Sequence, residues 1–181
     1  KYLNSGPGGV SGAFIHKRHI ADKTIPRLAG WWGHDKASRF KMGNSFDPIP
    51  TAEGWQLSNA PVLSMAAHKA SLDIFKEAGM ENLVKKGAAL NGYMMYLLDE
   101  INKQQPDKII EIITPRNESE KGCQVSMLML KDGKKIFDAL IRAGVIADWR
   151  EPNVIRVAPV PLYNSFSDVY RFGEIISAVI G

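Results

Sequence analysis

The chain has 181 residues, a formal net charge of +4 at pH 7 and a hydrophobic fraction of 45%, which is an ordinary globular composition. Its single cysteine, Cys123, excludes an intrachain disulfide, and no apolar run approaches the roughly 20 residues that cross a bilayer. The basic residues are scattered, which disfavours nucleic-acid binding and suits an enzyme with anionic ligands. We expect no membrane association and a cytoplasmic location.

The first 20 residues predict a glycine-rich loop followed by a strand. The opening "KYLNSGPGGVSG" contains four glycines, which permit tight turns. In "VSGAFIHKRHI", Ala13 and Ile15 alternate with Phe14 and His16, as in a strand. One strand cannot bury a core by itself, so we expect this segment to be the end of a larger domain and Lys1 not to be a natural start.

Residues 26–60 show no clear periodicity and are rich in Gly, Pro and aromatic residues. An irregular segment of this length inside a compact protein usually has a function. At its end, Ser58 or Asn59 is expected to cap a helix, with Pro61 in the first turn.

Two helices are predicted next. The first covers residues 62–79 and ends at Gly79, because glycine is a common helix stop. The second carries its apolar residues at helical spacing. These are Leu83, Val84, Leu90, Tyr93, Met94, Leu97, Leu98 and Ile101.

From residue 107 the pattern is mixed, in the order β-β-α-β-β-α. This order predicts a two-layer unit in which helices cover an antiparallel sheet. Asn164 or Ser165 is expected to cap the last helix, and Cys123 to be a packed thiol. The strands are predicted within 108–115, 123–130, 145–151 and 154–160, and the helices within 133–144 and 165–180.

Taken singly, the candidate site residues have ordinary interpretations. Lys1 would be a solvated terminal lysine, Trp31 a packed aromatic, Asn59 a helix cap and Arg156 a surface arginine on a strand. The four histidines have no metal-ligand spacing with a cysteine or carboxylate, so they are interpreted as structural and no metal site is predicted.

Four stretches lie in register along the chain: "KYLNSGPGGVSGAFIHKRH", "GWWGHDKASRFKM", "LSNAPVL" and "IRVAPVPLYNSFSDVYRF". Together they resemble the kynureninase family, whose members are pyridoxal-phosphate (PLP) enzymes of the aminotransferase class V group. The resemblance implies an α/β fold of the PLP-dependent transferase-like type (fold type I). Residues 1–60 would be the end of the large cofactor-binding domain and an interface arm. Residues 61–181 would be connecting helices and the small C-terminal two-layer α/β domain.

The same resemblance implies the site. Lys1 falls on the position that holds the cofactor as a Schiff base, and Trp31 and Asn59 on positions that contact its phosphate. Asn59 and Trp32 would lie near the substrate ring, and Arg156 would bind the substrate α-carboxylate. Each residue type suits its role, because an indole N–H is a donor without acceptor capacity and a flat guanidinium gives two parallel hydrogen bonds.

The implied reaction is the hydrolysis of L-kynurenine, with 3-hydroxy-L-kynurenine as a second candidate, to an anthranilate and L-alanine in tryptophan catabolism and NAD biosynthesis. The implied assembly is a homodimer with shared active sites. Two alternatives remain open. One is another PLP enzyme of the same fold, such as a cysteine desulfurase, lyase or aminotransferase. The other is a non-catalytic α/β interaction module.

Overall fold

A computed structural model describes residues 3–181, so Lys1 and Tyr2 lie outside the described residues. The chain divides into two compact units, of which the first ends at Glu77 and the second is Ala78–Gly181. The division therefore falls between two long helices and not at residue 60. The expected limits of the large and small domains stay a prediction about the whole protein.

The strand predicted in the first 20 residues is wrong. Residues 9–16 have no regular structure, and helix α1 (Lys17–Ile20) follows them, with the His16 ring accepting a hydrogen bond from the Arg18 backbone N–H at 3.2 Å. Phe14 is 87% exposed. The alternating pattern needs a neighbouring strand for its hydrogen bonds, and no such partner exists among residues 3–77.

The irregular character predicted for residues 26–60 is confirmed. Two short 3-10 helices, Trp31–Gly33 and Ala52–Trp55, are the regular elements that the structure describes there. Arg27 fastens the segment to the residues before it. Its Nη2 donates to the carbonyl oxygen of Ile20 at 3.0 Å, and its guanidinium lies 3.6 Å from the ring centroid of Trp55. A cation–π contact and backbone carbonyls thus replace strand pairing.

Both predicted helices are present, as α2 (Val62–Ala78) and α3 (Met80–Lys103). Gly79 separates them with a φ of 77°, a left-handed conformation that glycine adopts without steric cost. Val84 is 63% exposed, so its predicted place on the buried stripe of α3 is wrong. The buried residues of α3 are Leu83, Gly87, Leu90, Asn91, Met94, Met95, Leu98 and Ile101.

The second unit contains the predicted antiparallel sheet, with strand order β1-β2-β4-β3. In the register of the sheet, Ile110 pairs with Met129, and Arg156 lies between Ser126 on one side and Asp148 on the other. The strands are β1 (Ile110–Ile112), β2 (Val125–Met129), β3 (Asp148–Arg150) and β4 (Val154–Val157).

Helices α4 (Gly133–Arg142) and α5 (Phe166–Ile180) complete this unit with α3. Ser165 is the cap of α5, and its hydroxyl and the Asp168 carboxylate form a reciprocal capping box. The core lies between the helices and the sheet. Its least exposed members include Leu90, Leu98, Ile110, Met127, Leu140, Ile155 and Ile176.

Cys123 lies two residues before β2 and is half-buried, rather than inside the strand. Burial raises the pKa of its thiol, so the reactive thiolate is disfavoured.

Over residues 3–181, none of the helices combines the length and apolar character that a bilayer crossing requires.

Candidate active site

The lysine that the sequence analysis places at the cofactor, Lys1, lies outside the described residues. The structure does describe the loop that follows it. The Leu3 carbonyl oxygen accepts a hydrogen bond from the Ser71 hydroxyl of α2. Further along, the Gly9 N–H donates to the Gly6 carbonyl at 3.1 Å, with φ of 89° at Gly6 and 71° at Gly8. These two positive φ angles are why the loop needs glycine.

Trp31 begins the first 3-10 helix and presents half of its surface to solvent, with 51% exposed. Its ring meets Phe40 edge-to-face with 5.3 Å between centroids, and Trp32 lies 5.6 Å away. Within residues 3–181 its indole N–H has no hydrogen-bond partner. Trp31 is therefore held by aromatic packing while its single donor is available to a ligand.

Trp32 is half-buried and is fixed by Arg39, a residue that the sequence analysis missed. The Arg39 guanidinium lies 4.7 Å from the Trp32 ring centroid. Its Nη2 also donates to the carbonyl oxygens of Trp32 at 3.0 Å and His34 at 3.1 Å. No local pattern links two residues seven positions apart in an irregular segment, so this contact carries no sequence signal.

His34 makes contacts consistent with a structural role. Its Nε2 lies 3.1 Å from the Ser38 hydroxyl, and its Nδ1 accepts from the Asp47 backbone N–H at 3.4 Å. Both ring nitrogens are therefore engaged within the segment. Among residues 3–181 there is no group of three or more His, Cys, Asp or Glu side chains that could hold a metal ion.

Neither Ser58 nor Asn59 caps α2, so that prediction is wrong, and Asn59 is exposed. The helix begins at Val62, and its first hydrogen bond runs from the Met65 N–H to the Pro61 carbonyl at 2.9 Å. Pro61, with its fixed φ, takes the cap position and leaves Asn59 two residues earlier. Within the described part of the chain, the Asn59 amide has no hydrogen-bond partner and keeps both N–H donors.

Arg156 lies on β4 between Ile155 and Val157, which are 0% and 6% exposed. The alternation of the strand turns Arg156 away from the core, as the sequence predicts. Its side chain is 28% exposed, and its Nε donates to Oδ2 of Asp148 on β3 at 2.9 Å. Its Nη2 donates to the same oxygen. The hydrogen bond from Arg156 lowers the pKa of Asp148, with a further contribution from Arg150.

The predicted site residues thus fall into two groups. Trp31, Trp32 and Asn59 belong to the first compact unit, and Arg156 belongs to the second. In the first unit the available donors are an indole N–H and a carboxamide, both neutral and exposed. This donor set suits phosphate oxygens. In the second unit the available group is a guanidinium, which suits a carboxylate.

The fold of the chain is that of the PLP-dependent enzymes of fold type I. It is similar to a C-DES mutant with glycine covalently linked to its PLP cofactor, at a TM-score of 0.64 and 13% identity over 91% of this chain and 40% of that one. It is also similar to a NIFS-like protein, at a TM-score of 0.57 and 17% identity over 71% of this chain and 36% of that one. Identities this low define the fold alone.

The sequence comparisons identify the family. The model of the kynureninase C-terminal domain matches residues 83–176, about half of the chain, so the chain belongs to the kynureninase family. The kynureninase of Flavobacterium psychrophilum is 51% identical over 176 residues, which are 97% of this chain and 41% of that protein. The kynureninase of Stenotrophomonas maltophilia is 48% identical over 184 residues, which cover 100% of this chain and 42% of that protein. The chain therefore spans about two fifths of the length of these relatives.

Proposed function

We propose that this chain is part of a PLP-dependent hydrolase that converts L-kynurenine to anthranilate and L-alanine. The observation that carries the proposal is the 51% identity to a kynureninase over 97% of the chain, together with the family match. 3-Hydroxy-L-kynurenine, which adds one ring hydroxyl, is a second candidate substrate. The corresponding processes are tryptophan catabolism and NAD biosynthesis, in the cytoplasm.

Lys1 is proposed to hold the cofactor covalently through Nζ. A lysine amine must lose its proton to act as a nucleophile, and a partly desolvated, cationic site lowers its pKa enough to allow this near neutral pH. When its amine is not bonded to the cofactor, the neutral Nζ of Lys1 would accept and donate a proton beside the bound substrate. Bound PLP supplies an electron sink for the negative charge that develops when substrate bonds break.

Trp31 and Asn59 are proposed to bind the phosphate group of the cofactor. The support is their exposure together with the absence of a partner for their side-chain N–H groups within residues 3–181. Donors that are already free of internal hydrogen bonds need not give up any contact when an anion binds. Trp32, fixed under Arg39, and Asn59 are proposed to lie near the substrate ring.

Arg156 is proposed to bind the α-carboxylate of the amino-acid substrate. A charge-assisted pair of parallel hydrogen bonds fixes both the position and the tilt of a carboxylate. The partial burial of Arg156 supports this role, because a half-desolvated guanidinium interacts with an anion more strongly than a fully hydrated one.

A homodimer with shared active sites is also part of the proposal. The irregular arm within residues 26–60 exposes large apolar side chains: Leu28, Trp31, Phe40 and Met42 are 79%, 51%, 70% and 88% exposed. Aromatic residues and methionine are enriched at protein interfaces, so this composition favours a contact surface. The arm would complete the site of the partner while Lys1 serves its own.

The test is an assay of the complete protein, loaded with PLP, for the release of anthranilate and L-alanine from L-kynurenine. We expect equimolar release of both. A protein that binds PLP but releases no anthranilate, and instead acts on L-cysteine or on an amino acid with a 2-oxo acid, would be another enzyme of the same fold. A protein that does not acquire the absorbance of lysine-bound PLP would be a non-catalytic module.

A further inference from the structure

We propose that Asp148 is a positioning residue, which holds the Arg156 guanidinium in the orientation that receives the substrate α-carboxylate. This inference rests on the proposed function, in which Arg156 binds that carboxylate. Asp148 does not itself contact substrate in this proposal.

The sheet register brings the two residues together. Asp148 on β3 and Arg156 on β4 are directly opposite each other in an antiparallel pair, and side chains at opposite positions extend from the same face. The neighbour of Asp148, Trp149, extends from the other face and packs against Phe137 with 5.7 Å between ring centroids. This packing fixes which face of β3 carries Asp148.

The geometry of the pair leaves part of the guanidinium unused. One oxygen of the Asp148 carboxylate accepts hydrogen bonds from both Nε and Nη2 of Arg156, with 2.9 Å to Nε. Asp148 therefore binds along one side of the guanidinium. A guanidinium has five N–H donors in one plane. Three remain, and they include both donors of Nη1, which have no partner among residues 3–181. A substrate carboxylate can therefore bind at the free end while Asp148 stays in place.

The charges of the cluster also favour an anion. Nη2 of Arg150 lies 3.1 Å from the same Asp148 oxygen, so two guanidinium groups share one carboxylate. The cluster keeps a net positive charge of one when Asp148 is ionised. The lowered pKa of Asp148 keeps it ionised at neutral pH. Asp148 therefore restrains Arg156 without cancelling the attraction for a substrate anion.

Restraint matters because a free arginine side chain samples many rotamers. Binding a carboxylate to a mobile arginine must first order that side chain, whereas a restrained arginine has lost this freedom during folding. Removing the restraint should weaken carboxylate binding by about 3- to 10-fold, the range expected for ordering one flexible side chain. The chemical step should change little.

The test compares Asp148→Asn with Asp138→Asn in the complete, PLP-loaded protein. Asp138 is a matched control: its carboxylate is paired with Lys134 on α4 and its side chain is 44% exposed, against 46% for Asp148. Steady-state kinetics with L-kynurenine and inhibition by its decarboxylated analogue are measured for each variant. For Asp148→Asn we expect the KM to rise about 3- to 10-fold, with kcat within about twofold and the inhibition constant of the analogue unchanged. Asp138→Asn should change none of them.

The inference would be overturned if Asp148→Asn weakened the binding of L-kynurenine and of its decarboxylated analogue equally. An unchanged KM would also overturn it. A second comparison separates positioning from a general structural role. If Asp148 acts through Arg156, Asp148→Asn should have no further effect on L-kynurenine affinity once Arg156→Gln is present. An undiminished effect in that background would also overturn it. If Asp148→Asn fails to fold, Asp148→Glu, which keeps the charge but shifts the carboxylate, should raise KM by a smaller factor, and an unchanged KM would count against the proposal.

These outcomes are distinct from failure of the proposed function. If the unsubstituted protein releases no anthranilate, the proposed function is wrong. The role of Asp148 is then decided by measuring the binding of L-alanine and of ethylamine by calorimetry, because Arg156 would bind any α-carboxylate and ethylamine has none. Weakened binding of L-alanine alone in Asp148→Asn would support the inference. Equal or absent effects on the two ligands would reject it.

Discussion

Asn91, in the middle of helix α3, donates its side-chain N–H to the carbonyl oxygen of Gly122 at 3.1 Å. The same nitrogen lies 3.3 Å from the carbonyl oxygen of Cys123 and 3.5 Å from that of Gln124. Asn91 is fully buried. The amide nitrogen of Asn91 therefore lies within hydrogen-bond distance of three consecutive carbonyls just before β2. These contacts connect the strand to the helix that covers it.

Asn91→Ala should lower the free energy of unfolding by about 0.5–1.5 kcal/mol, because it removes the buried side-chain donor that these carbonyls share. Urea denaturation of the complete protein measures the change. Asn82→Ala is the control, since Asn82 lies on the same helix and donates to the Ala78 carbonyl at 3.0 Å but is exposed. Its effect should stay within about 0.5 kcal/mol. Equal losses in the two variants would contradict the role given to Asn91.

Asp99 and Arg116 predict a pH dependence of stability. Arg116 donates to both carboxylate oxygens of Asp99, at 2.7 and 2.8 Å. The hydrogen bond from Arg116 lowers the pKa of Asp99 below its usual 3.8, although partial burial opposes the shift. A carboxylate with a lowered folded-state pKa contributes stability above its ordinary pKa and loses it as the pH falls through the folded-state pKa.

Asp99→Asn should therefore reduce the free energy of unfolding at pH 7 by at most about 1 kcal/mol, since the pair is partly solvent-exposed. The difference from the unsubstituted protein should shrink as the pH falls below about 4. Urea unfolding at a series of pH values measures it. Asp107→Asn, at an exposed carboxylate with no ion pair among residues 3–181, should show no such trend. A deficit that persists unchanged at pH 2 would refute the ion-pair explanation.

Arg156→Lys should lower kcat/KM for L-kynurenine while leaving PLP binding unchanged. Lysine keeps the positive charge but cannot form two parallel hydrogen bonds to a carboxylate. Losing one charge-assisted hydrogen bond costs roughly 1.5–3 kcal/mol, or about one to two decades in kcat/KM. Steady-state kinetics and PLP titration measure the two quantities. If the variant binds substrate as tightly as the parent, the carboxylate is bound elsewhere.

Lys1→Ala in the complete protein should abolish turnover of L-kynurenine. The substitution removes the amine that is proposed to hold the cofactor and to carry the proton. We expect the thermal unfolding midpoint of the cofactor-free protein to stay within a few degrees of the parent. The assay is anthranilate release, with Lys17→Ala as a control at an exposed lysine of α1. Near-normal release by Lys1→Ala would remove Lys1 from the mechanism.

The shared-site dimer predicts complementation between inactive variants. One variant is Lys1→Ala, and the other combines Trp31→Ala with Asn59→Ala. When subunits exchange, a mixed dimer has one site built from the intact Lys1 of one chain and the intact Trp31 and Asn59 of the other. Random pairing should restore roughly a quarter of the parental activity. If all three residues act within one chain, no site is whole and proven subunit exchange restores nothing.

Much of the second unit could be predicted from the sequence. Helix α3 has apolar residues at helical spacing, and Gly79 marks its start. The cap of α5 follows from the spacing of Ser165 and Asp168, three residues apart. These signals are local, because capping, turn formation and the burial of one helix face depend on residues within a few positions of one another.

The larger errors lie in the first unit. The alternation around Phe14 predicts a strand, yet these residues form none, because a strand exists only when a neighbouring strand supplies hydrogen bonds. The cap predicted at Ser58 or Asn59 lies at Pro61, two residues after Asn59, which leaves the Asn59 amide outside the helix. Short periodic patterns in the sequence determine neither whether a strand forms nor the residue at which a helix begins.

The sequence by itself determined the family, through the motifs that carry the resemblance, and the order of elements from α2 to α5. Only the tertiary structure decided which distant side chains meet. It placed Arg39 against Trp32, Asn91 beneath the carbonyls before β2, and Asp148 beside Arg156. The physical reason is that strand register and helix docking are set by the packing of the whole core, and a one-residue change in register would turn each of these strand side chains to the opposite face.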